Sequence, residues 1–326
     1  VPSGSYSGAI PDYPRLAKRL IIQIIRTKKE AMTIQIEIEK PQTFTGREWA
    51  TLRRPSMNDP EPAGHFPREI AGQSIGAILD FARLNQKAVM ITGEAGTGKS
   101  STAEWYSASR NLPLAIVECN AEMNSRIVQG GFVPTGVGEQ LEWHNSELAT
   151  ALGQESVVLL NEATRMSAKA NALFLRILQE RELTLDTHKN EKIKVHKNCL
   201  IIADANLDYR GVSKPDQAFM DRYAIKVEFL YDEVLEAKFI PSDSLLELAK
   251  SMRELARNEN KFSTPISTRL LKEFVQVANG LGFGFAVYNF AQNFPTDERP
   301  SVEMLLATYA ERIATDLSLS LDTYAV

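Results

Sequence analysis

Eight consecutive residues of this chain have the types and spacing needed to hold a phosphate chain: Gly93, Glu94, Ala95, Gly96, Thr97, Gly98, Lys99 and Ser100, with Ser101 after them. Three glycines let the backbone aim successive N–H groups inward at one anion. Lys99 adds a point charge for the β and γ phosphates, and Ser100 a hydroxyl where Mg2+ bridges the same oxygens. The ligand implied is a nucleoside triphosphate with magnesium. The alternative is a glycine-rich turn that binds nothing, and the flanking sequence argues against it. Residues 87–92 form an apolar run suited to a buried parallel strand, and 100–110 read as a helix whose positive N-terminal end would face the phosphates.

A second cluster follows the apolar run 157–160, which has the form of a Walker B strand carrying Asn161 and Glu162 to the sheet edge beside that loop. Glu162 is the candidate to orient and polarise an attacking water. An aspartate usually stands where Asn161 does, to orient magnesium through its water shell; asparagine offers an acceptor oxygen without the charge. Asp204 lies two residues before Asn206 at the end of another apolar run, so both side chains share one strand face. We expect Asp204 to supply the negative charge that Asn161 lacks. A second reading of Asn161 from sequence is an introduced change that traps bound nucleotide.

The elements that must position these groups alternate. Strand candidates at 87–92, 114–118, 157–160, 200–203 and 224–230, separated by helical stretches, predict a parallel five-stranded α/β core flanked by helices over residues 64–231. Beyond it, helices at 242–258, 267–278 and 301–314 predict a smaller helical lid domain over 232–326. Residues 1–63 read as an N-terminal extension, with a basic amphipathic helix over 13–31 that more often docks on protein than on a membrane or nucleic acid. Met32 is a candidate initiator, and the residues before it enter no functional argument. The 326 residues are 44% hydrophobic with a net charge of −4, which argues against a surface coated for nucleic acid. Two cysteines, Cys119 and Cys199, lie outside any metal-ligand spacing, and no apolar run reaches the roughly 18 residues of a membrane span. With no secretory leader in evidence, a cytoplasmic protein is expected.

Several stretches resemble the AAA+ ATPases of the MoxR, NorQ/CbbQ and cobaltochelatase-small-subunit type, over roughly Gly72 to Leu271. Asn124-Ser-Arg-Ile-Val-Gln-Gly-Gly131 and Glu142-Trp-His-Asn-Ser-Glu-Leu-Ala-Thr-Ala151 are similar to that branch's helix-2 insert. Asn171-Ala-Leu-Phe-Leu-Arg-Ile-Leu-Gln-Glu-Arg181 is similar to the helix before its pre-sensor hairpin, here 183–195 turned at residues 188–191. The resemblance implies ATP as the nucleotide. It makes Asn206 the sensor 1 residue that holds the water or the γ-phosphate, with Asp204 where the family more often has a small neutral residue. Within Gln217-Ala-Phe-Met-Asp-Arg-Tyr223, Arg222 becomes the finger reaching a neighbour's nucleotide. Arg269 becomes the sensor 2 residue of the lid, and Arg165 a weaker intersubunit candidate.

By this resemblance the chain is expected to form a homo-oligomeric ring, a hexamer, that couples ATP hydrolysis to remodelling a partner. That task is chaperone-like, and the client often bears a von Willebrand A domain. Phe132, Trp143 and Lys189 are candidate client contacts. Two other readings stay open at this stage: a nucleic-acid-translocating motor, which the residues do not favour, and a hydrolysis-impaired ATP-dependent scaffold, for which Asn161 is the support.

Overall fold

Short runs of β-branched and aliphatic residues build the central layer. In the computed structural model, which describes residues 21–24, 34–37, 47–135, 140–206, 217–259 and 261–321, five such runs form one parallel sheet. They are β1 (Val89–Gly93), β2 (Leu114–Glu118), β3 (Val157–Asn161), β4 (Leu200–Ala205) and β5 (Ile225–Phe229), in the order β5-β1-β4-β3-β2. Near-continuous burial of β1, β3 and β4 fits strands covered on both faces, whereas the edge strand β5 exposes Lys226 and Glu228. All five lie where the sequence places them. Helices α1 (Ile75–Leu84) and α2 (Lys99–Ser109) pack on one face, where Leu79, Tyr106 and Phe229 are buried. On the other, α3 (Glu147–Leu152) and α4 (Ala168–Glu180) close over Leu160, Phe174 and Ile201.

The parallel pairing brings the catalytic candidates together. Leu160 pairs with Ala203, and Asn161 with Glu118, so the ends of β2, β3 and β4 line up along one edge. β1 lies beside β4 and runs into the glycine-rich loop.

Two hairpins project from the core. One pairs Gly130–Pro134 with Leu141–Asn145, after a short helix Ser125–Gln129 capped by the Asn124 side chain. The other pairs Glu182–Leu185 with Glu191–Lys194, close to the expected span, and turns through Lys189 and Asn190 at positive φ. The two are joined: Trp143 stacks on His188 at 4.9 Å, and Gln129 Nε2 donates to Asp186 Oδ2 at 3.2 Å.

The helical region beyond β5 holds α5 (Asp243–Glu259), α6 (Thr268–Leu281), α7 (Phe283–Ala291) and α8 (Arg299–Asp316) around a core centred on Leu248, Phe274, Phe290 and Leu306. Of these four, α7 is absent from the sequence reading. Its Gly-Phe-Gly-Phe start looks like a loop, and the helix forms because Phe283, Val287 and Phe290 bury one stripe.

Two expectations are corrected. The α/β unit does not start at residue 64: Arg47–Glu48 pairs with Trp143–His144, Ala50 N donates to Thr150 Oγ1 at 3.1 Å, and Trp49 and Leu52 pack on the core. The chain divides instead into Val1–Thr45 and Gly46–Val326. In the first unit, Ile21–Ile24 is a strand paired antiparallel with Ile34–Glu37, in place of the helix expected there. Isoleucines are stiff at χ1 and favour extended pairing. The rest of residues 13–31 lies outside the described residues. No helix among the described residues is long and apolar enough to cross a membrane.

Candidate functional site

The glycine-rich loop adopts a conformation that its residue types demand. Gly93, Gly96 and Gly98 have φ of 145°, 73° and 88°, a region L side chains rarely enter. A Cβ on Gly93 would collide with the Phe229 carbonyl, and one on Gly96 would stand 2.7 Å from Ser267 Cβ. Gly98 opens α2 with no side-chain cap, so the first amides of the helix point at the loop's concavity without a protein acceptor from a cap.

Lys99 is 7% exposed, and its Nζ donates to Gly93 O at 2.9 Å, Glu94 O at 2.8 Å and Asn206 Oδ1 at 2.7 Å. Burial lowers its pKa, against the pull of Asp204, Glu162 and Glu94. The sensor candidate at the end of β4 therefore touches the loop lysine directly.

Ser100 Oγ lies 2.8 Å from Asp204 Oδ2 and 3.0 Å from Asn161 Oδ1. One hydroxyl proton thus faces two acceptors. Asn161 Nδ2 donates to Glu118 Oε2 at 2.7 Å, which orients the amide with its oxygen toward Ser100. Hydroxyl, amide and carboxylate oxygens are a hard donor set, suited to Mg2+ that takes its other ligands from phosphate and water. Among the described residues no group of three or more His, Cys, Asp or Glu forms a metal cage.

Glu162 sits just past β3 at φ 54° and ψ 44°, a left-handed conformation unusual for glutamate. Asp204 holds it there: the Glu162 amide donates to Asp204 Oδ1 at 2.6 Å. The Glu162 carboxylate meets Arg165 Nη1 at 2.7 Å, so Arg165 is engaged within its own subunit.

The region beyond β5 closes the site. A cavity of about 390 Å³ lies between the loop and α6, lined in part by His65, Phe66, Gly98, Phe239, Arg269 and Lys272. Arg269 is exposed at its rim. Ser267 caps α6 through Leu270 N at 3.1 Å, which fixes the helix end against Gly96.

His65 and Arg68 carry no motif and escape the sequence reading. Arg68 donates to Thr97 O at 2.7 Å and Leu230 O at 2.8 Å, with its guanidinium 4.8 Å over the Phe229 ring. Burial, with Arg68 nearby, lowers the His65 pKa to about 4, so the ring is neutral near pH 7. The signal missing from the sequence is the return of residues 65–68 to the loop, a tertiary event.

Arg222 stands apart from this cluster. Its Nη1 donates to Ala218 O at 3.3 Å and its Nη2 to Gln179 Oε1 at 3.2 Å, both neutral acceptors. The carboxylate of Asp221 faces Gln217 and Lys226 instead. Trp143 is 2% exposed, with Nε1 on Asn145 Oδ1, so it is a packing residue and not a client contact. Phe132 is 45% exposed and packs edge-on against it. Cys119 and Cys199 are buried free thiols, pushed up to about 12 and about 11 by burial.

Comparison with known proteins places these features. Residues 88–223 match the AAA domain of the dynein-related subfamily. The chain is similar to Protein CbbQ of Hydrogenophilus thermoluteolus, 23% identical over 201 residues, or 59% of this chain and 74% of that protein. It is also similar to Protein NorQ of Paracoccus denitrificans, 21% identical over 205 residues, 60% of this chain and 74% of that one. Gas vesicle ATPase GvpN2 of Halobacterium salinarum is 22% identical over 194 residues, 51% of this chain and 56% of its own. With its five-stranded parallel sheet and its glycine-rich loop, the chain carries an AAA domain over residues 88–223 and is similar to the MoxR-like AAA+ proteins CbbQ, NorQ and GvpN, which supports ATP hydrolase activity.

Proposed function

We propose that the protein is a ring-forming cytoplasmic ATPase, a hexamer, that couples ATP binding and hydrolysis to remodelling a partner protein. The observation that carries the proposal is the convergence beside the glycine-rich loop of Lys99, Ser100, Asn206 and the N-terminus of α2, with Glu162 at the next strand end. Ser100, Asn161 and Asp204 would hold Mg2+, which would supply positive charge to the phosphates. The loop amides and Lys99 bind the phosphates. Asn206, hydrogen-bonded to Lys99, sits where it can hold the attacking water. Glu162, fixed by its backbone bond to Asp204, orients that water and takes up its proton. Arg269, on the opposite rim, reaches toward the γ-phosphate when the helical region closes.

Arg222 supports the ring. Its two bonds are to neutral acceptors, which leaves its charge for a neighbour's nucleotide, and a finger in trans requires a shared site. The client surface is assigned to the hairpins and the short helix before the first of them, where Ile127, Phe132 and Leu141 are 44%, 45% and 58% exposed and Lys189 lies at a turn. The client class follows the family resemblance: a protein bearing a von Willebrand A domain.

The test is steady-state ATP hydrolysis over a protein concentration series. Turnover per subunit should rise with concentration, Glu162→Gln and Arg222→Ala should each abolish it, and mixing the two variants should restore part of it through mixed interfaces. Turnover that is independent of concentration and intact in Arg222→Ala would overturn the shared site.

A further inference from the structure

The carboxylate Asp204 is 2% exposed and has no basic group bonded to it. Its oxygens face the Glu162 amide and the Ser100 hydroxyl, while the nearest ammonium, Lys99, donates to two carbonyls and to Asn206. A buried charge without a cation bonded to it is costly unless one is supplied. One strand over, the position that would ordinarily carry this charge is occupied by Asn161, and its amide is satisfied at both ends: the oxygen at Ser100, the nitrogen at Glu118. An aspartate there would set its carboxylate against that of Glu118 with no proton between them, a like-charge contact that the asparagine amide avoids.

We propose that the metal-placing carboxylate of this ATPase has moved one strand across the sheet: Asp204 on β4, in place of residue 161 on β3, supplies the anionic oxygen for the divalent cation of the bound nucleotide, and Asn161 is the neutral spacer that Glu118 requires. The proposal rests on the nucleotide-binding reading above. The oxygens of Asp204, Asn161 and Ser100 already meet at one corner, where one hydroxyl proton serves two acceptors, so a hard cation completes a set that is short of positive charge. The same Asp204 carboxylate fixes the left-handed backbone of Glu162, so it is at once a ligand candidate and a positioning residue. Asn161 is then part of a compensated exchange and not a lesion.

The test separates nucleotide binding from metal placement. Affinity for a fluorescent ADP is measured in EDTA and in Mg2+, and the ratio of the two reads the metal's contribution without turnover. Asp204→Asn is nearly isosteric: an amide still accepts from the Glu162 N–H and donates to Ser100. It is expected to keep the EDTA affinity within about threefold and to lose about tenfold or more of the Mg2+ enhancement. The double variant N161D/D204N should recover part of that enhancement, and adding Glu118→Gln should recover more by removing the facing carboxylate. Should Asp204→Asn fold poorly, the double variant N161D/E118Q, which keeps Asp204, asks the same question: with the anionic oxygen already supplied by Asp204 its Mg2+ enhancement should stay within about threefold of the unaltered chain, and a gain of about tenfold or more overturns the proposal. An Mg2+ enhancement unchanged in Asp204→Asn overturns the proposal, as does a double variant no better than the single. If the unaltered chain binds no ADP with or without Mg2+, the nucleotide-binding reading itself fails.

Discussion

Removing the charge of Glu236 should unlock the helical region from the phosphate-binding loop. Glu236 is 3% exposed and takes Arg253 in two parallel bonds, Nη1 to Oε2 at 2.7 Å and Nη2 to Oε1 at 2.8 Å. Its Oε1 also accepts the Thr268 hydroxyl at 2.6 Å, at the start of α6. Arg253, 8% exposed, lies 3.6 Å over the Tyr231 ring, and the Tyr231 hydroxyl donates to Ala95 O at 2.8 Å inside the loop. In Glu236→Leu the guanidinium remains buried without its anion, which costs about 3–5 kcal/mol, and the loss of the Thr268 bond adds about 1 kcal/mol. For a domain of this size each kcal/mol moves Tm by roughly 2–4 °C, so a fall of about 8–24 °C is expected by thermal unfolding. The double variant with Arg253→Met replaces the whole pair by apolar groups and should be more stable than Glu236→Leu alone. A loss below about 1 kcal/mol in the single variant, or strict additivity in the double, refutes the argument that this pair is a coupled lock.

Three further outcomes are expected. Gly96→Ala forces a left-handed alanine, a strain of about 1–2 kcal/mol, and drives its Cβ into Ser267; nucleotide affinity should fall about tenfold, by the arithmetic of 1.4 kcal/mol per decade, and unchanged affinity in a fluorescence titration would show that α6 yields freely. His65 is neutral in the fold, with its pKa lowered from 6.5 to about 4, so between those values the unfolded chain binds more protons. Stability should be lost as pH falls through that window, and His65→Gln should flatten the dependence of Tm between pH 7 and pH 5; parallel profiles would exclude His65 as its source. Trp143→Ala should cost about 3–5 kcal/mol, because the ring is buried at the junction of the two hairpins, whereas Phe132→Ala should cost less than about 1 kcal/mol and act on client-stimulated turnover. Comparable urea midpoints for the two would contradict the division between packing and contact.

The phosphate-binding loop is readable from eight residues because its conformation is local: three glycines, a lysine and a serine are required whatever surrounds them. The inner core strands are readable for a related reason, since strands buried on both faces need apolar runs, and 114–117 and 157–160 are such runs, while the edge strand β5 shows instead the alternation of a half-exposed strand. Helix α7 fails that reading because Gly282 at its N-cap and Gly284 in its first turn depress local propensity and only burial of Phe283 and Phe290 against α6 and its neighbours makes it form. The strand Ile21–Ile24 fails it because basic residues spaced around isoleucines satisfy a helical pattern as well as an extended one.

Chemical identity was set along the chain, in the residue types that ride on local backbone: a loop for phosphates, a glutamate after a buried strand, an arginine after a short helix. Charge placement was set across it. Asp204 meets Ser100 over 104 positions, Asn161 meets Glu118 over 43, and Arg68 meets Leu230 over 162. Such pairings depend on strand order and register, and β4 stands beside β3 and β1 only after the sheet has assembled in the order β5-β1-β4-β3-β2. An asparagine that looks like a lost charge in one dimension is, in three, a neutral bridge between a neighbouring carboxylate and the serine of the loop.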